Sequence, residues 1–452
     1  MSLHAKLLER EAKGKPIRVG VIGAGKFGAM FLAQVPNIPG MHLMAIGDLY
    51  PANALKSIER IGWKPERHAA RSFDEAIRNR TTFLTDDWQA VVAHPAIDVI
   101  VECTGNPVAA VEHCLEAFRH GKHVVNVTVE ADAFCGYLLG RRAAEAGVVY
   151  SLAFGDQPAL ICDLVDWART CGFPVVAAGR GHKWLPNYFE STPDTVWNFW
   201  GLTAEQARIG GLNPKMFNSF LDGSKPAIET TAVANATGLE APEAGLQFPP
   251  GSMDDLPNLF RPISAGGMLE KTGVVEVVSC LRPDGSEIDH HIRNGIWVCI
   301  EGDSEYTRRC FQEYGVTTDT TGRYVAIYRR WHLIGLELGV SVASAALRGE
   351  ATGTPVCFNA DVVATAKRDL KPGEVLDGEG GYTVYGKICP AGRSLAQGNL
   401  PLGLASHIKV VRPVAKGQML TWNDVARDKT LTAYKFRTEM ERLVAEKATS
   451  GD

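Results

Sequence analysis

The feature that most constrains the fold is a series of short apolar runs separated by stretches with helical periodicity. The runs lie at 17–22, 42–46, 98–102, 124–129 and 148–152. They carry apolar residues on both faces of the predicted strands, which is typical of parallel strands covered by helices on both sides. The series therefore predicts an α/β domain with a doubly wound parallel sheet near the amino terminus.

The pattern of residues changes twice after this series of predicted strands. Mixed strand and helix patterns follow, with strands predicted at 175–179, 274–279, 296–300 and 324–328, a helix over 224–238 and a loop over 247–267. Beyond residue 349, short strands rich in Gly and Pro predict a small β domain. We therefore expect four segments: an α/β domain with an N-terminal helix over 1–157, an α+β domain over 158–349, a β domain over 350–430, and a terminal helix over 431–452.

The composition and charge of the chain indicate which kinds of partner it binds. The chain has 452 residues, a net charge of −4 and 45% hydrophobic residues, with neither a basic stripe nor a bilayer-length apolar run. Nucleic acid and membrane partners are therefore not expected, and a small molecule is. The ten cysteines are spread singly, and no apolar run typical of a signal peptide follows the charged segment 1–15. This pattern favours reduced thiols and a cytoplasmic protein.

A glycine motif follows the first predicted strand and opens the first predicted helix. Gly23, Gly25 and Gly28 match G-x-G-x-x-G, with Lys26 and Phe27 inside the motif. The first glycine allows a tight turn, the second lets the backbone approach a pyrophosphate, and the third permits close helix packing. The motif is weak alone, but its position between strand and helix predicts a dinucleotide-binding Rossmann domain.

Two further segments extend the predicted cofactor site. Asp48 ends the second strand, where a carboxylate accepts hydrogen bonds from ribose hydroxyls and repels a 2′-phosphate. This predicts NAD in preference to NADP; the alternative is that Asp48 only caps the next turn. Thr104, Gly105 and Asn106 end another strand, at the edge where the nicotinamide ribose normally lies, unless they form a plain exit from the strand.

The helix predicted over 224–238 carries a candidate substrate site. Lys225, Glu229, Ala232 and Ala236 share one face. Small side chains beside a Lys/Glu pair leave space for a ligand that the ammonium can polarise or protonate. The competing interpretation is a surface ion pair of little energetic consequence. Lys225 and Glu229 are the predicted catalytic residues, and Ser224 and Asn235 of this helix are predicted substrate contacts.

Three other segments carry candidate polar groups. A strand runs into Arg180, His182 and Lys183, which are suited to holding a phosphate or carboxylate; Lys183 is also a predicted catalytic residue. Arg329 and His332 form a second possible anion clamp. In both segments, the alternative is that the side chains are simply solvated. Asp156 is either a helix cap or a pocket carboxylate.

Several of these segments together resemble the homoserine dehydrogenase superfamily: 23–28, Glu102-Cys-Thr-Gly105 and Gly121-Lys-His-Val-Val125. The segment 220–238, with 129–132 and 332–333, resembles the homoserine dehydrogenase-like 1-deoxyxylulose-5-phosphate reductoisomerase group. Segments 366–373 and 411–417 resemble the edges of an SAF domain, a small β-clip module. The resemblance spans nearly the whole chain.

That resemblance implies a homodimer, a nicotinamide cofactor and, for the reductoisomerases, a divalent metal with a phosphorylated ketose. The chain departs from the pattern at two positions. Glu130 replaces the lysine that homoserine dehydrogenases carry after the fifth strand, which argues against homoserine chemistry. Asp48 favours NAD, whereas the reductoisomerases use NADPH.

Together these observations predict an NAD(P)-dependent oxidoreductase acting on the carbonyl or carbinol carbon of a small, anionic, polyhydroxylated metabolite, with or without isomerisation. A simple NAD-dependent dehydrogenase of a sugar acid or polyol is one alternative. A protein that binds NAD without catalysis is another. The metal ligands are not predicted; Asp156, Glu130 and Glu229 are the candidate carboxylates.

Overall fold

The computed structural model describes residues 2–209 and 212–450. The chain forms two compact units, Met1–Leu160 with Leu333–Pro355, and Ile161–His332 with Val356–Asp452. Residues 1, 451 and 452, at the ends of the predicted first and last segments, lie outside the described residues.

The first unit is built on a parallel sheet with the strand order β3-β2-β1-β4-β5-β6. The order reverses between β1 and β4, which creates the crevice where ligands of doubly wound sheets bind. The predicted fold class is confirmed, although the short β3 was not predicted. The strands are β1 (Ile17–Ile22), β2 (Met41–Gly47), β3 (Phe83–Thr85), β4 (Val99–Glu102), β5 (His123–Asn126) and β6 (Tyr150–Leu152).

Helices cover both faces of this sheet, as its apolar strands require. They are α1 (Leu3–Ala12), α2 (Lys26–Gln34), α3 (Pro51–Arg60), α4 (Phe73–Asn79), α5 (Trp88–Ala93), α6 (Pro107–Arg119), α7 (Val129–Glu145), α8 (Gln157–Thr170), which the division between the units crosses, and α15 (Gly339–Arg348).

The helix α15 belongs to the first unit, whereas the sequence placed it in a domain over 158–349. Leu338, Val342 and Ala343 pack in one apolar cluster with Val99 and Val101 of β4. The physical reason is the apolar face of α15, which is buried against the central strands. The predicted boundary at 157 lies close to the division at Leu160.

The second unit contains a sheet with the order β10-β9-β7-β8, in which β7 is parallel to β8 and antiparallel to β9. Two antiparallel pairs, β11 with β13 and β12 with β14, follow in the predicted β segment. The strands are β7 (Val175–His182), β8 (Val274–Ser279), β9 (Ile296–Glu301), β10 (Tyr324–Arg329), β11 (Ala360–Ala366), β12 (Val375–Asp377), β13 (Val384–Pro390) and β14 (Ser406–Lys409).

The helix α12 (Ser224–Thr237) is central to this unit because β7 and β8 as well as β11 and β13 pack against it. Left-handed glycines bound it at both ends, Gly223 (φ +85°) and Gly238 (φ +73°). The remaining helices are α9 (Val196–Trp200), α10 (Ala204–Ile209), α11 (Pro214–Leu221), α13 (Leu256–Leu259), α14 (Glu305–Glu313), α16 (Ala391–Gln397) and α17 (Thr432–Ser450). The segment predicted as a loop over 247–267 therefore contains a short helix.

All ten cysteines are free thiols. In the described part of the chain, no helix combines the length and hydropathy needed to cross a bilayer.

A buried carboxyl group in the first unit makes stability depend on pH. Asp132 of α7 is completely buried and accepts a hydrogen bond from the Tyr150 hydroxyl at 3.1 Å. Burial raises the pKa of Asp132 to about 7. The unfolded chain ionises this group near pH 4, whereas the folded protein ionises it only near neutrality, so its contribution to stability falls as pH rises between these values.

We expect Asp132→Asn to stabilise the protein more at high pH than at low pH. The asparagine keeps an acceptor for Tyr150 but cannot ionise, so the gain between about pH 5 and about pH 8 should be on the order of 2 kcal/mol. Urea unfolding at both pH values measures it. A variant whose effect on the free energy of unfolding is the same at both would contradict this assignment.

Candidate functional site

The glycine loop between β1 and α2 has the geometry that the sequence motif predicts. Gly23 has φ +88°, and a Cβ there would lie 2.9 Å from the Thr104 Cα. A Cβ on Gly28 would lie 2.8 Å from the Gly23 carbonyl oxygen, so both positions require glycine. A Cβ on Gly25 would instead meet no atom within 4 Å. The loop is therefore tightly packed underneath and open at Gly25, where α2 begins.

Asp48 connects the end of β2 to this loop. Its carboxylate accepts the backbone N–H of Ala24 at 2.9 Å and of Tyr50 at 2.9 Å. The turn-capping alternative is thus part of its role. Each carboxylate oxygen retains acceptor capacity for a ribose hydroxyl.

A buried glutamate, which the sequence analysis missed, organises the loops after β4 and β5. Glu102 is completely buried and accepts hydrogen bonds from the hydroxyls of Thr104 and Thr128 and from the His113 ring. The Thr128 hydroxyl in turn accepts the Gly105 N–H at 3.0 Å. A charged residue that ends the apolar run Val-Ile-Val-Glu was the available signal for this network.

The remaining predicted cofactor residues lie around the same edge of the sheet. Asn106 caps α6, since its side-chain oxygen accepts the N–H of Val108 and Ala109. Lys26 and Phe27 form the first turn of α2. Because the loop is open at Gly25 and α2 directs backbone N–H groups toward it, these residues fit the pyrophosphate of a dinucleotide. Asp48 would hold the adenosine ribose.

In the second unit, the structure brings together α12 and the end of β7. The Arg180 guanidinium forms an ion pair with the Glu229 carboxylate, and both side chains are buried. Lys225 lies one turn earlier on α12 and is only 8% exposed. The surface-ion-pair interpretation of Lys225 and Glu229 is therefore wrong, because neither side chain is at the surface.

His182 lies on the same face of β7 as Arg180. Its ring contacts the Phe220 carbonyl oxygen and the Arg180 guanidinium. Burial, together with the nearby Arg180, holds the pKa of His182 well below its usual range. His182 is therefore neutral at physiological pH, so it offers hydrogen bonding rather than positive charge.

Lys183 lies against α9 instead. Its ammonium donates to the Phe199 carbonyl oxygen at 2.7 Å and lies 6.0 Å from the centre of the Trp200 ring. Burial and Arg293 lower the pKa of Lys183. The structure thus groups Lys183 with aromatic residues and Arg293, whereas Arg180 and His182 lie beside α12.

Two predicted substrate contacts on α12 have structural roles. The Asn235 amide donates to the Ala360 carbonyl and accepts the N–H of Asn359 and Ala360. The Ser224 hydroxyl accepts the Gly386 N–H at 2.8 Å. Both predictions are corrected for the same reason, because these polar groups join α12 to the β11 and β13 segments.

The other predicted contacts stay predictions. His332 contacts the Asn294 carbonyl oxygen at 2.7 Å through its Nδ1, and Arg329 ends β10. Asp156 is buried in the first unit, and its carboxylate accepts the Gln157 N–H at the start of α8.

An aromatic wall beside the start of α12 was not predicted. The rings of Trp184 and Phe248 stack with centroids 4.3 Å apart, and both lie within about 4 Å of a Cβ built on Gly223. Phe248 has φ +50°, a strained value for a bulky residue. The buried Glu276, whose pKa burial raises to about 8, accepts the adjacent Gln247 N–H at 2.9 Å and so helps to fix this backbone.

Residues 2–209 and 212–450 contain no set of side chains that could serve as the ligands of a metal ion. In that part of the chain, no three His, Cys, Asp or Glu side chains are grouped so as to hold an ion.

Comparison with known proteins identifies two domains. Residues 155–338 match the family described as "Oxidoreductase DRL, catalytic domain". Residues 64–147 match "Homoserine dehydrogenase, NAD binding domain". The chain carries an NAD-binding domain and an oxidoreductase catalytic domain. This confirms the homoserine dehydrogenase-like first domain; the reductoisomerase grouping and the SAF domain stay predictions.

Three of the individual relatives match over half of this chain or less. A homoserine dehydrogenase of Pseudomonas aeruginosa is 30% identical over 137 residues, which are 30% of this chain and 28% of that protein. The structure of a homoserine dehydrogenase from Thiobacillus denitrificans is 21% identical, with 50% of each chain covered and a TM-score of 0.32. A myo-inositol dehydrogenase from Lactobacillus casei is 15% identical, with 40% of this chain and 50% of that one covered and a TM-score of 0.29. The chain thus spans under a third of the curated relative and half of these two structures.

Proposed function

We propose that this protein is an NAD(P)-dependent oxidoreductase that moves a hydride to or from the carbonyl or carbinol carbon of a small, anionic, polyhydroxylated metabolite. The observation that carries the proposal is the buried Lys225 on α12, one turn from the Arg180–Glu229 ion pair. All three residues lie within the span that matches an oxidoreductase catalytic domain.

The nicotinamide supplies or accepts the hydride when it is bound. Lys225 polarises the substrate oxygen and exchanges its proton, because an ammonium is strongest as a donor where water is excluded. Arg180 holds Glu229 in place, and the neutral His182, whose two ring nitrogens contact the Phe220 carbonyl oxygen and the Arg180 guanidinium, helps to orient Arg180. Trp184 and Phe248 shield this end of α12 from water.

We also propose a preference for NAD over NADP, which rests on the negative charge of Asp48. We expect Asp48→Asn to improve NADPH affinity about tenfold relative to NADH, because it removes repulsion of the 2′-phosphate and keeps one acceptor oxygen. Fluorescence titration with both nucleotides measures the ratio. Asp98→Asn is the control. Asp98 also accepts a backbone N–H, from Arg18 at 2.8 Å, but it lies where β1 and β4 begin, at the opposite end of the strands from Asp48. An unchanged ratio would refute the assignment of Asp48.

A substrate screen tests the proposed activity. The purified protein is mixed with NADH or NADPH and phosphorylated ketoses, including 1-deoxyxylulose 5-phosphate, or with oxidised sugar acids and polyols, and nucleotide oxidation is followed by absorbance. We expect turnover with at least one anionic compound. Carbon NMR of the product separates a reductoisomerase, which changes the carbon connectivity, from a simple dehydrogenase. Nucleotide binding without turnover of any compound would favour the protein that binds NAD without catalysis.

The homodimer, the cytoplasmic location and the participation of a divalent cation stay predictions. Sedimentation of the purified protein and assays with and without Mg²⁺ or Mn²⁺ test the first and the last.

A further inference from the structure

A buried lysine of the second unit connects three separate parts of the chain. Lys367 follows β11 and is 5% exposed. Its ammonium forms an ion pair with Asp222 at 2.8 Å and donates to the carbonyl oxygens of Ser191 and Gly381, each at 2.8 Å. The ammonium therefore has two carbonyl acceptors and one carboxylate counter-charge.

The same junction is reinforced by a neutral side chain. Asn218 of α11 is completely buried and donates to the carbonyl oxygens of Ser191, at 3.0 Å, and of Gly380, at 2.9 Å. The segment after β7, the corner between α11 and α12, and the loop before β13 are thus held together by Lys367 and Asn218.

This junction lies directly before the proposed catalytic lysine. Asp222 accepts the Ser224 N–H at 2.9 Å through one carboxylate oxygen and pairs with Lys367 through the other. The Ser224 hydroxyl accepts the N–H of Gly386 in β13. The two residues that flank Gly223 are therefore both held by the segment from β11 to β13, and Lys225 follows at once.

We propose that Lys367 is a positioning residue of the substrate site, which fixes the first turn of α12 and through it the Lys225 ammonium. The β11–β13 segment is then a structural wall of the site. The role rests on the proposed function only in that Lys225 is taken as catalytic. A buried ion pair is suited to the task because it tolerates little displacement, whereas loss of one partner leaves a buried charge uncompensated.

Hydrogen–deuterium exchange of the full chain tests this positioning without any ligand. We expect Lys367→Met to speed exchange in peptides covering 221–229 by at least about tenfold, with less than about twofold change in β1 of the first unit. Lys367→Arg, which retains the charge, should recover most of the protection. Lys371→Met is the matched control, since Lys371 is exposed in the same segment. If Lys367→Met does not fold, Asp222→Asn weakens the same ion pair and takes its place.

Unchanged exchange over 221–229 in a folded variant would overturn the proposal, and so would an increase spread evenly over both units.

A turnover assay distinguishes failure of the positioning role of Lys367 from failure of the proposed function. With NADH and 1-deoxyxylulose 5-phosphate as the probe, we expect Lys367→Met to lower kcat more than it raises KM. If Lys225→Met is inactive and Lys367→Met matches the wild type, Lys367 has no positioning role while the proposed function stands. If the wild type itself is inactive with this probe, exchange alone decides the proposal.

Discussion

Gly25→Val is expected to weaken NADH binding at least about 100-fold, or nearly 3 kcal/mol, while the protein stays folded. The backbone at Gly25 has φ −66° and ψ −163°, values that valine adopts without strain. A Cβ there meets no protein atom within 4 Å. The added side chain therefore occupies only the space where a pyrophosphate would approach the first N–H groups of α2.

Gly392→Val is the matched control, because a Cβ on Gly392 also meets no atom within 4 Å and Gly392 lies in α16 of the other unit. Calorimetric titration with NADH measures both variants, and the melting temperature confirms folding. Wild-type affinity in a folded Gly25→Val would show that the dinucleotide does not bind at this loop.

Lys225→Met is expected to lower kcat by about 10² to 10⁴, the usual contribution of a positioned acid or base. Methionine matches the length of the lysine stem and stays buried, so the loss reflects the ammonium. Affinity for NADH should not change, since the proposed nucleotide site is built from residues of the first unit. Steady-state kinetics on the substrate identified by the screen, with separate nucleotide titration, measures both quantities.

Lys122→Met is the control for the effect of removing a buried ammonium group. Lys122 is 6% exposed, like Lys225, and its ammonium donates to the Ile97 carbonyl oxygen at 2.7 Å, at the edge of the sheet where β5 begins. We expect it to keep wild-type kcat. Similar activity of Lys225→Met and Lys122→Met would remove Lys225 from the catalytic account.

Much of the fold follows from local patterns. The runs that became β1, β4 and β8 are predicted within a residue or two, because a short run of mostly apolar residues is typical of a buried strand. The helix α12 is predicted because glycine and proline mark its ends. The three residues of β3 are too few for any periodicity, and the return of α15 to the first unit leaves no local signal, because packing partners far apart in sequence decide it.

The sequence likewise predicts some residues of the candidate site but not the contacts between them. Gly23, Gly25 and Gly28 follow from the motif: the close packing around Gly23 and Gly28 requires glycine, and Gly25 leaves open space where a pyrophosphate would approach. Spacing on one helix places Lys225 and Glu229 on the same face, but the ion pair of Glu229 with Arg180 of β7 is a contact that helical periodicity cannot show. The hydrogen bonds of Ser224 to β13 and of Asn235 to β11 cannot be predicted from the sequence either, because they join residues far apart in the chain.

The most direct test of the central claim is transfer of label from NADH deuterated at the transferable position, with products analysed by mass spectrometry. The account predicts that at least one anionic carbonyl compound gains one deuterium with the wild-type protein, and that Lys225→Met incorporates the label about 10² to 10⁴ times more slowly. If NADH binds but no product of the panel carries the label, hydride transfer by this protein is contradicted.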